Sequence, residues 1–261
     1  MNAPHTTLGR GLVPRLDFSI GRVALRLHSA DEPWLRAAFA RYSAFVARQA
    51  QPYSIFVGDH PRGDKRPPEF TYKFEGSALF TVPEESRFTG VRNEFALDSL
   101  LRILLSWKLL SYEGFLLHAA TIVRDGKAYV FTGRSGAGKS TTAAMSPQGS
   151  VLTDEISLLR REDGAWRAYG TPFWGEFKAA GSNTSAPVAG IFRLLQAAGH
   201  ELTPLSKRET LRMLLPNVLF FSADTAANQQ LLEILSRAVT EIPSYNLAFR
   251  KDPAFWEVLP T

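Results

Sequence analysis

The chain has 261 residues, 45% of them hydrophobic and 21% charged, with a formal net charge of +5 and no cysteine. Such usage is ordinary for a globular protein with room for a sizeable core. The missing cysteines exclude disulfides, thiolate zinc sites and a cysteine nucleophile, and they suit a reducing cytoplasm.

The mild positive charge fits an enzyme for anionic substrates. No Lys/Arg run and no aromatic-basic module supports nucleic-acid binding. Met1 to Arg15 lacks an apolar signal core, and no apolar run approaches the roughly 18 residues of a membrane span. The expectation is therefore a cytoplasmic protein without a membrane partner. The sequence leaves a homo-oligomer open.

In chain order, Met1 to Pro14 reads as a tail. Leu16, Phe18 and Ile20 alternate, then Val23, Leu25 and Leu27, which predicts strands on either side of Gly21. Asp31 is an N-cap candidate for a helix with Leu35, Phe39, Tyr42 and Val46 on one face. Tyr53 to Val57 reads as a strand, Gly58 to Pro68 as a charged loop, and Phe70–Phe74, Ala78–Val82 and Arg87–Thr89 as short strands. A second helix spans about Asn93 to Ser111, with a broad face of Leu97, Leu100, Leu101, Leu104, Leu105 and Leu109. Asp98, Arg102 and Lys108 interrupt this apolar stretch.

Phe115 to Val123 is the next strand. Arg124-Asp125-Gly126 signals a tight hairpin turn, and Lys127 to Thr132 returns. This second strand runs into Gly133-Arg134-Ser135-Gly136-Ala137-Gly138-Lys139-Ser140, which matches G-x-x-x-x-G-K-[ST] without a mismatch. A short helix follows from Ser140 to Met145. Ser150 to Thr153 leads to Asp154 and Glu155, and a hairpin with its turn at Asp163-Gly164 comes next. Thr171 to Lys178 is an aromatic-rich turn. Asn183 to Pro187 reads as a loop and Val188 to Leu195 as a strand. Ser206-Lys207-Arg208-Glu209 is a capping box, and Pro216 ends its helix. Asp224 or Thr225 opens a helix with Leu231, Leu232, Ile234, Leu235 and Val239 inward. Tyr245 to Arg250 is a last strand and Pro253 to Val258 a last short helix.

Strand, glycine-rich turn and helix is the order that phosphate binding requires. Backbone N–H groups of Gly133 to Thr141 converge on an anion, Lys139 reaches the β- and γ-phosphates, and Ser140 holds Mg²⁺. Asp154 follows Lys139 by about fifteen residues, at the end of the next strand. A carboxylate there can bind Mg²⁺ or accept a proton from an attacking hydroxyl. Asp154 is the expected base, and Glu155 a metal ligand or a supporting group. His118, on the strand beside the loop's strand, either is a satisfied core residue or serves the site by orienting the aspartate or contacting the γ-phosphate. Arg134 either neutralises phosphate charge or points to solvent. Glu176 and Lys178 border the site or lie on the surface.

Leu117-His118-Ala119-Ala120, the hairpin, the Gly133–Ser140 loop and Thr153-Asp154-Glu155 together resemble the HPr kinase/phosphorylase family. The resemblance is closer to the HPr kinase-related proteins found near peptide-modification genes. Thr171-Pro172-Phe173-Trp174-Gly175-Glu176 and Pro243 to Arg250 also look like these relatives, and the likeness covers roughly Gly114 to Trp256. It implies a mixed α/β fold related to ATP-dependent phosphoenolpyruvate carboxykinase: a phosphate-loop domain with a partly antiparallel sheet over 113–261, and a smaller α+β part over 1–112. It further implies an ATP–Mg²⁺ kinase in which Lys139 and Ser140 bind phosphate and metal, Asp154 is the base and His118 supports it. The acceptor would be a serine-type hydroxyl of a protein or peptide, such as a ribosomally made peptide precursor. Glu155 stands where the bifunctional enzymes carry Asp. An ATP-dependent binding module and, ranked lower, carboxykinase-like chemistry on a small acid are the alternatives.

Overall fold

Alternating apolar residues fold the chain's first segment into a hairpin. In the computed structural model, which describes residues 15–47, 52–58, 70–74, 77–82, 85–91, 93–147, 150–173 and 181–260, β1 (Arg15–Ile20) pairs antiparallel with β2 (Val23–Ser29). Gly21 and Arg22 turn the chain at φ 57° and 62°, a two-residue turn whose twist matches the strands. Leu16, Phe18, Ile20, Val23, Leu25 and Leu27 are all buried. Helix α1 (Glu32–Tyr42) starts where the Asp31 carboxylate accepts the Trp34 N–H at 2.9 Å. Its buried face is Leu35, Ala38 and Tyr42. Phe39 and Val46, expected inside, are 38% and 41% exposed. The helix ends at Tyr42 and tightens into a 3-10 turn at Ser43–Phe45, so the helical spacing no longer carries to Val46 and Phe45 takes the core position.

Strands β3 (Tyr53–Val57), β4 (Phe70–Phe74), β5 (Ser77–Val82) and β6 (Glu85–Thr89) complete a six-stranded sheet in the order β1-β2-β3-β6-β5-β4. Helix α2 (Glu94–Lys108), capped by Asn93, buries Leu97, Leu100, Leu101, Leu104 and Leu105. Leu109, in the 3-10 turn Leu109–Tyr112, joins them. One core cluster contains these leucines, β1 and β2 residues, and Leu116, Ile156, Leu158, Tyr169 and Phe173 of the later sequence. Asp98 is 4% exposed yet satisfied, because Arg41 and Tyr42 of α1 donate to its two carboxylate oxygens.

The second sheet has nine strands. They are β7 (Gly114–Arg124), β8 (Lys127–Thr132), β9 (Val151–Thr153), β10 (Ile156–Glu162), β11 (Ala165–Tyr169), β12 (Ser185–Gln196), β13 (Glu201–Pro204), β14 (Val218–Leu219) and β15 (Ser244–Phe249). Its path is β11-β10-β7-β8-β12-β15-β13, with β9 and β14 attached to β7. β8 lies antiparallel to β7 and parallel to β12, and β12 lies parallel to β15. The architecture is thus mixed α/β. β12 begins at Ser185, three residues before the expected start, since Ser185 to Pro187 pair with β11 and fold the sheet back on itself.

Helices α3 (Lys139–Ala144), α4 (Lys207–Leu214) and α5 (Thr225–Glu241) flank these strands, and Pro253–Val258 forms a 3-10 turn. Both hydrogen bonds of the Ser206/Glu209 capping box are present. On α5, Leu231, Ile234, Leu235 and Ala238 face inward while Leu232 is 51% exposed; it sits about 100° around the helix from Leu231. No helix among the described residues is long and apolar enough to cross a membrane. The Met1–Pro14 tail, most of the Gly58–Pro68 loop, and Trp174 to Lys178 lie outside the described residues.

Candidate active site

Two strand ladders meet at the end of β8. Ala119 pairs with Thr132, and the Thr132 hydroxyl donates to the His118 carbonyl at 2.9 Å. On its other edge β7 pairs with β10, matching His118 to Ile156, and the Ala119 N–H donates to the Glu155 carbonyl at 3.1 Å. These registers bring the imidazole and the carboxylate together: His118 Nε2 lies 3.6 Å from Glu155 Oε1.

The glycine-rich loop leaves β8 at Gly133. Gly133, Gly136 and Gly138 have φ values of 152°, 77° and 116°, and glycine adopts this region without a steric penalty. Gly138 is required twice over, since a Cβ there would stand 2.6 Å from the Phe249 ring. Lys139 opens α3 with its side chain nearly buried at 7% exposure. Its ammonium donates to the Gly133 carbonyl at 3.1 Å and to that of Arg134 at 3.4 Å. The Gln196 amide secures the loop from β12 by donating to the Gly136 carbonyl at 2.8 Å.

These elements bound a cleft of about 950 Å³, the size range of small-molecule sites. His118, Ser135 to Thr141 and Glu155 line it. Of the other expected site residues, Gly133 is buried at the loop's root and Arg134 is exposed. Asp154 is only 4% exposed, and the lining includes Glu155 without Asp154. Glu176 and Lys178 lie outside the described residues.

The imidazole of His118 holds the Glu155 carboxyl below the usual carboxylate range; burial opposes this, and the positive charges of Arg102 and Lys139 add to it. Arg102 reaches this neighbourhood from α2. Its guanidinium lies 5.1 Å from the centre of the Phe173 ring, and its Nε is buried without a hydrogen-bond partner. Burial lowers its pKa, which the charge of Glu155 partly restores.

Among the described residues no group of three or more His, Cys, Asp or Glu is placed to hold a metal. Ser140 and Glu155 line the cleft with oxygens of the kind that suit Mg²⁺, whereas Asp154 does not line it. Sequence reasoning missed the opposite wall, formed by Gln196, Ala197, Phe249, Arg250 and Lys251. Phe249 and Arg250 end the Pro243–Arg250 segment noted in the sequence, but nothing local places any of the five at the loop. Parallel pairing of β12 with β15 brings them to the loop, with Gln196 in register with Phe249.

Residues 96–260 match the family model described as SynChlorMet cassette protein ScmC, which is more than half of the chain. The chain belongs to this family. The ScmC match starts within α2, so it takes in Asp98, Arg102 and the whole cleft lining, and leaves out the six-stranded sheet. A search of curated proteins finds no match.

Proposed function

We propose that the protein is an ATP-dependent phosphotransferase acting on a serine-type hydroxyl of a protein or peptide. The observation that carries this reading is one cleft bounded by both a complete phosphate loop and the His118–Glu155 pair. The loop would take the β- and γ-phosphates of ATP, with Lys139 exchanging its carbonyl partners for phosphate oxygens. Mg²⁺, held by the Ser140 hydroxyl on the cleft lining, would supply neutralisation of the phosphate charge.

Glu155 is our candidate for the base, in place of the Asp154 that motif order suggests, because Glu155 opens onto the cleft and Asp154 is buried. The acceptor oxygen attacks the γ-phosphorus, its proton passes to the Glu155 carboxylate, the bond to the β-phosphate oxygen breaks, and ADP leaves. His118, 3.6 Å away, orients that carboxylate. The resemblance to HPr kinase-related proteins supports the reaction class. A family described as a cassette protein supports an acceptor encoded in the same cassette, such as a precursor peptide.

The test is incubation with γ-labelled ATP, Mg²⁺ and the candidate peptides. Label on a peptide hydroxyl is expected. ATP binding or hydrolysis with no labelled acceptor would move the protein to the class of nucleotide-dependent switches.

A further inference from the structure

The strand order around the cleft gives it two unlike flanks. In the path β10-β7-β8-β12-β15 the phosphate loop follows the central strand. His118 and Glu155 belong to the β7/β10 flank. Phe249, Arg250 and Lys251 follow or end β15 on the other flank. Along this path β7, β8 and β12 separate β10 from β15. One flank thus carries an acid and an imidazole, the other two cations.

The basic flank is fixed to the loop. The Phe249 ring fills the space that a side chain at Gly138 would need, and the Ala197 N–H donates to the Phe249 carbonyl at 3.0 Å. The next residues are braced from outside the cleft. Arg250 Nε donates to Asp252, and the other oxygen of Asp252 lies 2.8 Å from His200 Nε2. That second oxygen also accepts the Ala254 N–H at 3.0 Å, at the start of the last 3-10 turn. This brace uses only the Nε of Arg250. Among the described residues its two terminal amino groups make no hydrogen bond, and Lys251 has no ion-pair partner, while both residues line the cleft. A guanidinium held at Nε with its outer donors free is prepared for an oxyanion.

We propose that Arg250 and Lys251 form a second anion-binding wall that takes the phosphate chain of the nucleotide, with Asp252 and His200 as positioning residues, so that ATP lies along the β12/β15 flank and the acceptor hydroxyl enters from the β7/β10 flank. This rests on the nucleotide reading above. Arg250 is the binding residue, and Asp252 acts only through it.

The experiment is titration of the full-length protein with a fluorescent ATP analogue in Mg²⁺, with tripolyphosphate and adenosine as competitors. The variants are Arg250→Gln, Lys251→Gln, their double, Asp252→Asn and Lys139→Ala. The double variant should lose about tenfold or more in affinity for ATP and tripolyphosphate, each bond to a charged group counting for about a factor of ten, with adenosine competition unchanged. Arg250→Lys should recover part of the loss, and Asp252→Asn should lose less than Arg250→Gln. Circular dichroism checks that each variant is folded. Wild-type affinity in the double variant, alongside loss in Lys139→Ala, overturns this wall and leaves the nucleotide reading standing. A loss confined to adenosine overturns the phosphate assignment, since the flank would then hold the base. A wild-type protein that binds none of these ligands overturns both readings.

Discussion

His118 on β7 and Glu155 just before β10 face each other with Nε2 and Oε1 3.6 Å apart, and the imidazole holds the carboxyl below its usual range. We predict that Glu155→Gln lowers phosphoryl transfer by about 10² to 10⁴, the usual range for a general base, while ATP affinity stays near wild type. Asp154→Asn, at a buried acid outside the cleft lining, should lower transfer less. Measuring transfer and nucleotide affinity for both variants separates the two acids. A transfer rate in Glu155→Gln within twofold of wild type removes it as the base.

Gly138 and Gly136 offer a matched pair. Both have positive φ, but an added Cβ meets the Phe249 ring at 2.6 Å in the first case and nothing within 4 Å in the second. Gly138→Ala should therefore cost about 2 to 4 kcal/mol through strain and overpacking together. Gly136→Ala should cost only about 1 kcal/mol of backbone strain. Urea midpoints read the difference, and equal losses would mean that Phe249 moves aside freely.

Across the first hairpin, Arg26 donates to both oxygens of Asp17 at 2.6 and 2.8 Å. The guanidinium holds the Asp17 carboxyl below its ordinary range, against burial. A lowered folded-state pKa stabilises the fold above the unfolded value, near 4, and that contribution disappears as pH falls through the lowered value. Wild type should thus be more stable than Asp17→Asn at pH 7. The gap should close in acid, as followed by urea unfolding at stepped pH. A gap that does not vary with pH would reject the pair as its source.

Arg102 places a cation beneath the site with its Nε unpaired, since Asp98, one turn earlier, is already engaged by Arg41 and Tyr42. Glu155 partly compensates this charge, and a methionine would keep apolar packing on Phe173 while losing that compensation. Arg102→Met should therefore change stability by no more than about 1 kcal/mol in denaturant unfolding. A loss above about 2 kcal/mol would show that the guanidinium contributes a bond of its own.

What could be read from residues alone was local. The Asp125-Gly126 turn, the glycine-rich loop, the Asp31 cap, the helix opening at Asp224 and the Ser206 box each announce themselves within a few residues, and each forms. Distant pairing left no such mark. The early start of β12 depends on β11, and β14 exists only because Val218 and Leu219 meet Leu117 and Leu116. Periodicity also misled where a helix changed its winding, as at Val46. The phosphate loop was legible, but the wall facing it was not. The sequence ends a strand at Arg250 and does not single out Lys251, and only the β12–β15 pairing brings both to the cleft.

The contact between Gly138 and Phe249 joins residues more than a hundred positions apart, and it sets a timetable. The loop and its hairpin are synthesised more than a hundred residues before Phe249 of β15. Contacts of such long sequence separation form late and slow folding. A nascent chain stalled before Ser244 should therefore carry a complete glycine-rich motif and still fail to retain nucleotide. Completion of the cleft would wait for β15 to leave the ribosome.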